Sequence, residues 1–201
     1  DDVTVGEAPA CVAPNGLAAN NVTATSADIA WTANNGETEW TIEVNGTEMT
    51  GITENPYTLT TTANTEYTVR VKANCSATDE SDWSGTYTFT TPCAAVATVE
   101  EDFEAYTEGL PDCWAKLGAG TVTVQTSQPN SGSKSLRFSG TTGTNIVALP
   151  ALESYAGLYL TFSTKPESNS YTNCGSFAVG YVTGDASTFQ ALATYNYHDT
   201  Y

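Results

Sequence analysis

The chain has a single histidine, six lysines and arginines in all, and no C-x-x-C pair among its five cysteines. Each scarcity removes a class of function. Six basic residues against 23 acidic ones give a formal net charge of -17, which repels nucleic-acid phosphates and anionic membrane surfaces. The lone histidine, His198, has no G-x-S-x-G elbow to serve, so a Ser–His–Asp arrangement lacks its parts. A catalytic thiol would depend on that same base. One histidine and dispersed cysteines do not assemble the usual zinc ligand sets. No apolar run approaches the ~20 residues that a membrane-spanning helix requires. No segment carries the period of an amphipathic helix; Ala151–Tyr155 suggests one short turn at most. Glycoside hydrolysis needs only two carboxylates. Acids abound here, yet nothing in the sequence selects a pair, and the expectation is a non-enzyme.

What is present is short, β-branched and aromatic. Candidate strands include Ala27–Trp31, Trp40–Val44, Tyr57–Leu59, Thr121–Val124, Leu158–Phe162 and Phe177–Val182. Gly, Pro, Asn and Asp punctuate them at the spacing expected of sandwiches and barrels. The clearest alternation runs through Tyr67, Val69, Val71 and Ala73 on one face, with Thr68, Arg70 and Lys72 on the other. An all-β protein follows. Thr, Ser, Asn and Gly fill most of the surface, because only 14% of residues are charged. The acidic excess reads either as a solvated exterior or as a supply of hard oxygen ligands for calcium. Five cysteines without metal spacing point to disulfides in an oxidising compartment. The start at Asp1-Asp2 is read as the product of leader removal, with a lipid anchor upstream as one form it could take. A boundary is expected near Thr91-Pro92-Cys93, giving a tail over 1–8, a first domain over 9–92 and a second over 93–201.

The first domain resembles the fibronectin type III domain, in the variant common in Bacteroidetes surface proteins. The resemblance rests on Pro14 and Leu17, then Trp31, Trp40 and Leu59. Tyr67 at the family's tyrosine-corner position follows, with Val69, Val71 and Ala73 behind it, Ser81–Ser84, and a last strand Tyr87–Thr91. It implies an immunoglobulin-like sandwich with Trp31 and Tyr67 buried between the sheets. The second domain is similar, more loosely, to MAM-like and cleaved-adhesin jelly-roll domains. Its matching segments are Asp102-Phe103-Glu104, Leu110–Trp114, Ser131–Leu136, Val147–Pro150, Leu158–Phe162, and Val179–Thr183 leading to Phe189. The family continues with closing strands beyond the position matched by Tyr201, so this jelly roll is expected to be incomplete at its C-terminus. The fibronectin-like fold places Cys11 and Cys75 at one end of the sandwich, where a bridge is sensible. Cys93 and Cys113 form the second expected pair, and Cys174 is left over as a small hydrophobe.

The resemblance implies an extracellular or bacterial outer-surface protein, secreted or lipoprotein. It would bind glycans or host surface ligands through the second domain, with the first as spacer. The alternatives are an accessory region of a larger secreted polysaccharide-degrading enzyme and a purely structural stalk. Sugar stacking needs exposed rings beside amide and carboxylate side chains. The candidate ligand-binding residues are therefore Tyr171, Asn173, Tyr195, Tyr197 and His198, in two polar aromatic segments. The alternating tyrosines also read as one face of a strand. Asp102 and Glu104 are candidate ligands for a structural calcium ion, or else solvated acids. Trp114 reads as a core plug, and Trp83 as packing on the side of its own domain. Sequons at Asn21, Asn45 and Asn74 are incidental in a bacterial chain rich in Asn and Thr.

Overall fold

The computed structural model describes residues 11–140, 145–165, 176–183 and 188–196. The described residues are all-β: every element is a strand. Two compact units divide the chain, 1–94 and 95–201.

In the first unit β1 (Asn15–Asn20), β2 (Ser26–Thr32) and β5 (Tyr57–Thr60) form one antiparallel sheet in the order β1-β2-β5. The other sheet holds β4 (Thr47–Ile52), β3 (Trp40–Val44), β6 (Glu66–Ser76) and β8 (Tyr87–Thr90). Three strands facing four in this order is the fibronectin type III-like sandwich. Its core follows from alternation. Val69, Val71 and Ala73 of β6 are fully buried with Ile42 of β3, and Ala27, Ile29 and Trp31 of β2 face them with Leu59. Trp31 and Trp40 meet edge to face, with centroids 5.3 Å apart and planes at 70°, a geometry that adds about 0.5–1.5 kcal/mol beyond the area buried. The β3–β4 hairpin turns on Asn45 and Gly46, both at positive φ, as a two-residue turn between twisted strands requires. Tyr67 is only half-buried. Its ring stacks on Phe89 at 5.5 Å, and its hydroxyl accepts the Thr62 N–H at 2.8 Å, which makes the tyrosine corner.

The second edge of β6 shows how serine replaces a strand. β8 pairs with Glu66–Val69, and the two-residue β7 (Asp79–Glu80) pairs near Asn74 and Ser76. Between them, the Val71 N–H donates to Ser84 Oγ and the Ala73 N–H to Ser81 Oγ, at 2.9 and 2.8 Å. Ser84 N and Ser81 N return bonds to the carbonyls of Val71 and Ala73. Buried backbone donors must find partners, and here two hydroxyls supply them. The same segment lays Trp83 under Arg70 (4.5 Å) and Lys72 (5.0 Å). Arg70 also grips Glu43, its register partner on β3, through two bonds of 2.9 and 2.6 Å. Trp83 thus packs on the side of its own sandwich, under the only two basic residues of residues 1–94.

In the second unit, β9 (Ala115–Lys116) pairs with β12 (Val147–Ala148), β10 (Thr121–Gln125) with β11 (Ser135–Ser139), and β13 (Ser176–Thr183) with β14 (Thr188–Asn196). Val96 and Leu152 make one isolated bridge. Residues 151–155, where a helical turn was expected, serve that bridge instead. Leu158–Phe162 is not a strand. Its alternation is real, but no described strand pairs with its N–H and C=O groups, and Leu158–Phe162 stays exposed. Among the described residues of this unit, the buried hydrophobics are Val122 and Val124 of β10.

Candidate functional site

The β13–β14 ribbon is built from residues that favour strands, and neither strand carries a charge. Pairing runs in register from Ser176↔Asn196 to Val179↔Ala193, then resumes at Gly180↔Ala191. Leu192 is the extra residue of this bulge and is 74% exposed. Gly180 is required there: a Cβ would lie 2.0 Å from the Gln190 carbonyl oxygen and 2.8 Å from the Phe189 ring.

Across the ribbon Phe177 stands opposite Tyr195, and their rings stack with centroids 5.0 Å apart and planes at 17°. Phe162 meets Phe177 edge-on at 5.6 Å. With Leu160, Thr164, Val179 and Ala193, these rings line an open groove of about 300 Å³. Tyr195 is 47% exposed and Phe162 51%. The groove therefore combines apolar ring surface, open to solvent, with two hydroxyl-bearing residues, Thr164 and Tyr195. Such a surface can hold a ligand that has an apolar face and a few hydroxyl partners. Among the described residues that line it, none is a His, Cys, Asp, Glu, Lys or Arg.

A second constellation surrounds Glu104. Its Oε1 accepts the N–H groups of Ser133 and Lys134, each at 2.8 Å, and its Oε2 accepts the Ser133 hydroxyl at 2.5 Å. Lys134 Nζ donates to the carbonyls of Glu104 and Tyr106. The Ser133 hydroxyl, then its N–H, hold the Glu104 carboxyl below the ordinary glutamate range, with Lys134 adding to the effect. Gly132, at φ +62°, lets the loop close over the carboxylate; a Cβ there would be 2.5 Å from Oε1. Asp102 Oδ1 accepts the Glu104 N–H, and Glu101 Oε1 accepts that of Phe103. Phe103 itself sits at φ +65°, a rare conformation for an aromatic residue, with its ring edge-on to Trp114 at 5.9 Å. Among the described residues no cluster of three or more His, Cys, Asp or Glu side chains is placed to hold a metal ion.

Of the ligand-binding candidates, Tyr195 lines the groove. Tyr171, Asn173, Tyr197 and His198 lie outside the described residues. Cys11 and Cys75 are joined by a disulfide, and Cys93 and Cys113 are both in disulfide form. Phe177, Phe162 and Leu160 were not among the candidates because their alternation reads equally well as core. The available signal was two long strands with no charge in a chain of net charge -17. The sequon side chains are engaged: Asn21 with Asp28, Asn45 with β6, and Asn74 with Glu39 and Thr41.

No family model matches the chain, and no curated protein matches it. Solved structures do. The fibronectin type III domain of human fibronectin type III domain containing protein 3 aligns at 15% identity, over 45% of this chain and 94% of that one, with a TM-score of 0.39. A segment of two fibronectin type III domains from chicken tenascin aligns at 16% identity, over 69% of this chain and 83% of that one, with a TM-score of 0.31. A chitinase from Bacillus thuringiensis aligns at 20% identity, over 69% of this chain and 26% of that one, with a TM-score of 0.35. Likenesses this distant carry no argument about activity. The fibronectin type III-like fold of the first unit follows from its own strand order.

Proposed function

We propose that this chain is a non-catalytic extracellular binding protein whose second unit receives a glycan in the β13–β14 groove, while the first unit acts as a rigid spacer. One observation carries the reading: the Phe177–Tyr195 stack with Phe162 forms an aromatic surface left open to solvent on an uncharged ribbon. Sugar rings present apolar C–H faces and peripheral hydroxyls, and aromatic rings beside two hydroxyl-bearing residues, Thr164 and Tyr195, match that chemistry. The disulfide between Cys11 and Cys75 supports an oxidising compartment, and no helix among the described residues is long and apolar enough to cross a membrane. Attachment to a bacterial outer surface, a jelly-roll relationship of the second unit to adhesin domains, and a contribution from Tyr171, Asn173, Tyr197 and His198 belong to the same proposal. So does calcium at Asp102 and Glu104, which would share Glu104 with the Ser133 hydroxyl.

A glycan array probed with the full chain tests it. Binding to a defined glycan class is expected, reduced about tenfold or more by Tyr195→Ala or Phe177→Ala, as loss of a stacked ring entails. Binding unaffected by both substitutions would place the site elsewhere, and binding to no glycan would leave a spacer or stalk as the better reading.

A further inference from the structure

In an antiparallel ribbon, residues two apart on one strand share a face with the residues opposite them. Phe177 and Val179 of β13 therefore share a face with Tyr195 and Ala193, their register partners on β14. The first pair puts two stacked rings at one end of the groove floor, with centroids 5.0 Å apart. The second pair, about 7 Å along the strand, is short and wholly aliphatic, a valine opposite an alanine. It is the last pair before the bulge. Register resumes at Gly180↔Ala191, where Gly180 has no side chain to extend the floor. Leu160, Phe162 and Thr164, alternate residues of one segment, complete the lining.

A pyranose laid with its C–H face on the ring pair can reach the aliphatic pair with its exocyclic C6. What stands at C6 then decides the match. A hydroxymethyl group brings a hydroxyl against hydrocarbon, where burial without a partner is unfavourable. A carboxylate fares worse. Residues 158–164 and both strands are uncharged, and the chain as a whole has a formal net charge of -17. An anion is therefore repelled at long range and meets no cation in the described lining. Lys165, next in sequence to Thr164, has its ammonium on Gln128 Oε1. A methyl group at C6 avoids both costs and adds apolar contact.

The ring hydroxyls face a different situation. Tyr195 is 47% and Phe162 51% exposed, so the mouth of the groove is open to water, and Thr164 and Tyr195 are the hydroxyl-bearing residues of the lining. The volume of about 300 Å³ lies at the lower end of small-molecule sites. It has room for a single sugar residue.

We infer that the groove selects a neutral 6-deoxyhexose, its ring face on the Phe177–Tyr195 pair and its C6 methyl against Val179 and Ala193, a specificity that rests on the glycan reading of the same site.

Matched sugars and the full chain test this. Methyl β-D-fucoside, methyl β-D-galactoside and methyl β-D-galacturonide share one ring and differ only at C6, as methyl, hydroxymethyl and carboxylate. The corresponding quinovoside, glucoside and glucuronide form a second trio with C4 inverted. In ligand-observed NMR titrations, the deoxy member of at least one trio should bind about tenfold more tightly than its hydroxymethyl counterpart, as one misplaced group in an apolar site entails. The uronide should be weakest, with a deficit that narrows as salt is raised. Ala193→Ser, which adds a hydroxyl at the aliphatic end, should bring the two neutral members to within about twofold of each other. Equal binding of the neutral members, a preference for the hydroxymethyl sugar or the uronide, or a deoxy preference that Ala193→Ser leaves intact would overturn the specificity while a glycan site remained. A glycan bound on the array with neither deoxy sugar bound would do the same. No binding of any sugar, here or on the array, would remove the underlying reading as well.

Discussion

The two units spend similar sequence material in opposite ways. In the first, alternating strands meet face to face, and nine hydrophobic residues from both sheets disappear into one core. In the second, the described strands form separate two-stranded ribbons, and large apolar side chains such as Leu158, Tyr159, Leu160 and Phe162 remain exposed. Alternation determines which side of a strand is apolar; it does not supply the opposing surface that turns that side into a core. A two-stranded ribbon is marginal in water without packing on one face, and on β13–β14 the described packing comes from the exposed segment that carries Leu160 and Phe162.

Truncating one aromatic residue in each unit puts the contrast to its severest test. Trp31→Ala removes a ring that is 6% exposed and packed on Trp40, and should cost about 4 kcal/mol. Phe177→Ala removes a ring from an open groove and should cost about 1 kcal/mol. Guanidinium unfolding followed by tryptophan fluorescence measures both. Equal costs would mean that the groove is a true core and the contrast between the units is false.

How far the sequence reached follows the same division. The β6 strand, the tyrosine corner at Tyr67 and the place of Trp83 were legible because each depends on neighbours close in sequence or on a fixed strand order. That Ser81 and Ser84 stand in for a missing strand was not, since two serines read as ordinary loop polarity. In the second unit, Phe177–Val182 was legible as a strand. Leu158–Phe162 carries an equally good alternation and forms none, because pairing is a property of the neighbour as much as of the segment. Tyr195 was found as an aromatic in a polar stretch. Its partners Phe177 and Phe162 were not, because their place beside it depends on register and on a bulge at Leu192. Glu104 was read as a solvated acid or a calcium ligand. Its engagement by Ser133 and Lys134 joins positions 29 and 30 residues apart, a separation across which spacing rules say nothing.

The disulfide sharpens the comparison by stabilising one unit alone. Cys11 and Cys75 are separated by 64 residues, so opening the bridge with paired Cys11→Ser and Cys75→Ser substitutions should cost about 3 kcal/mol, chiefly by enlarging the unfolded ensemble of the first unit. Calorimetry should show the transition of that unit moving down while signals from the second stay in place. A common shift of both would show that the units unfold as one.

The smallest expected effect concerns the latch on Glu104, the second unit's own answer to a poorly enclosed structure. The carboxylate, rather than apolar burial, holds the Gly132–Lys134 loop against the segment around Phe103. Its pKa is depressed below the usual value of 4.5, first by the Ser133 hydroxyl. A depressed carboxylate contributes stability that is complete above its unfolded value and is lost as pH falls through the folded one. Loop protection measured by amide hydrogen exchange at Ser133 and Lys134, after correction for the intrinsic rate, should therefore hold at neutral pH and decline below about pH 4.5. Glu104→Gln should show lower protection at neutral pH and no such decline, because a neutral amide keeps one acceptor and loses the charge that strengthens all three bonds. The core strands of the first unit should exchange alike in both proteins across that range. If protection in the substituted protein still fell with acid, the loop would be held by some other carboxylate, and the polar anchoring that distinguishes this unit from the first would have to be sought at Glu101 and Asp102.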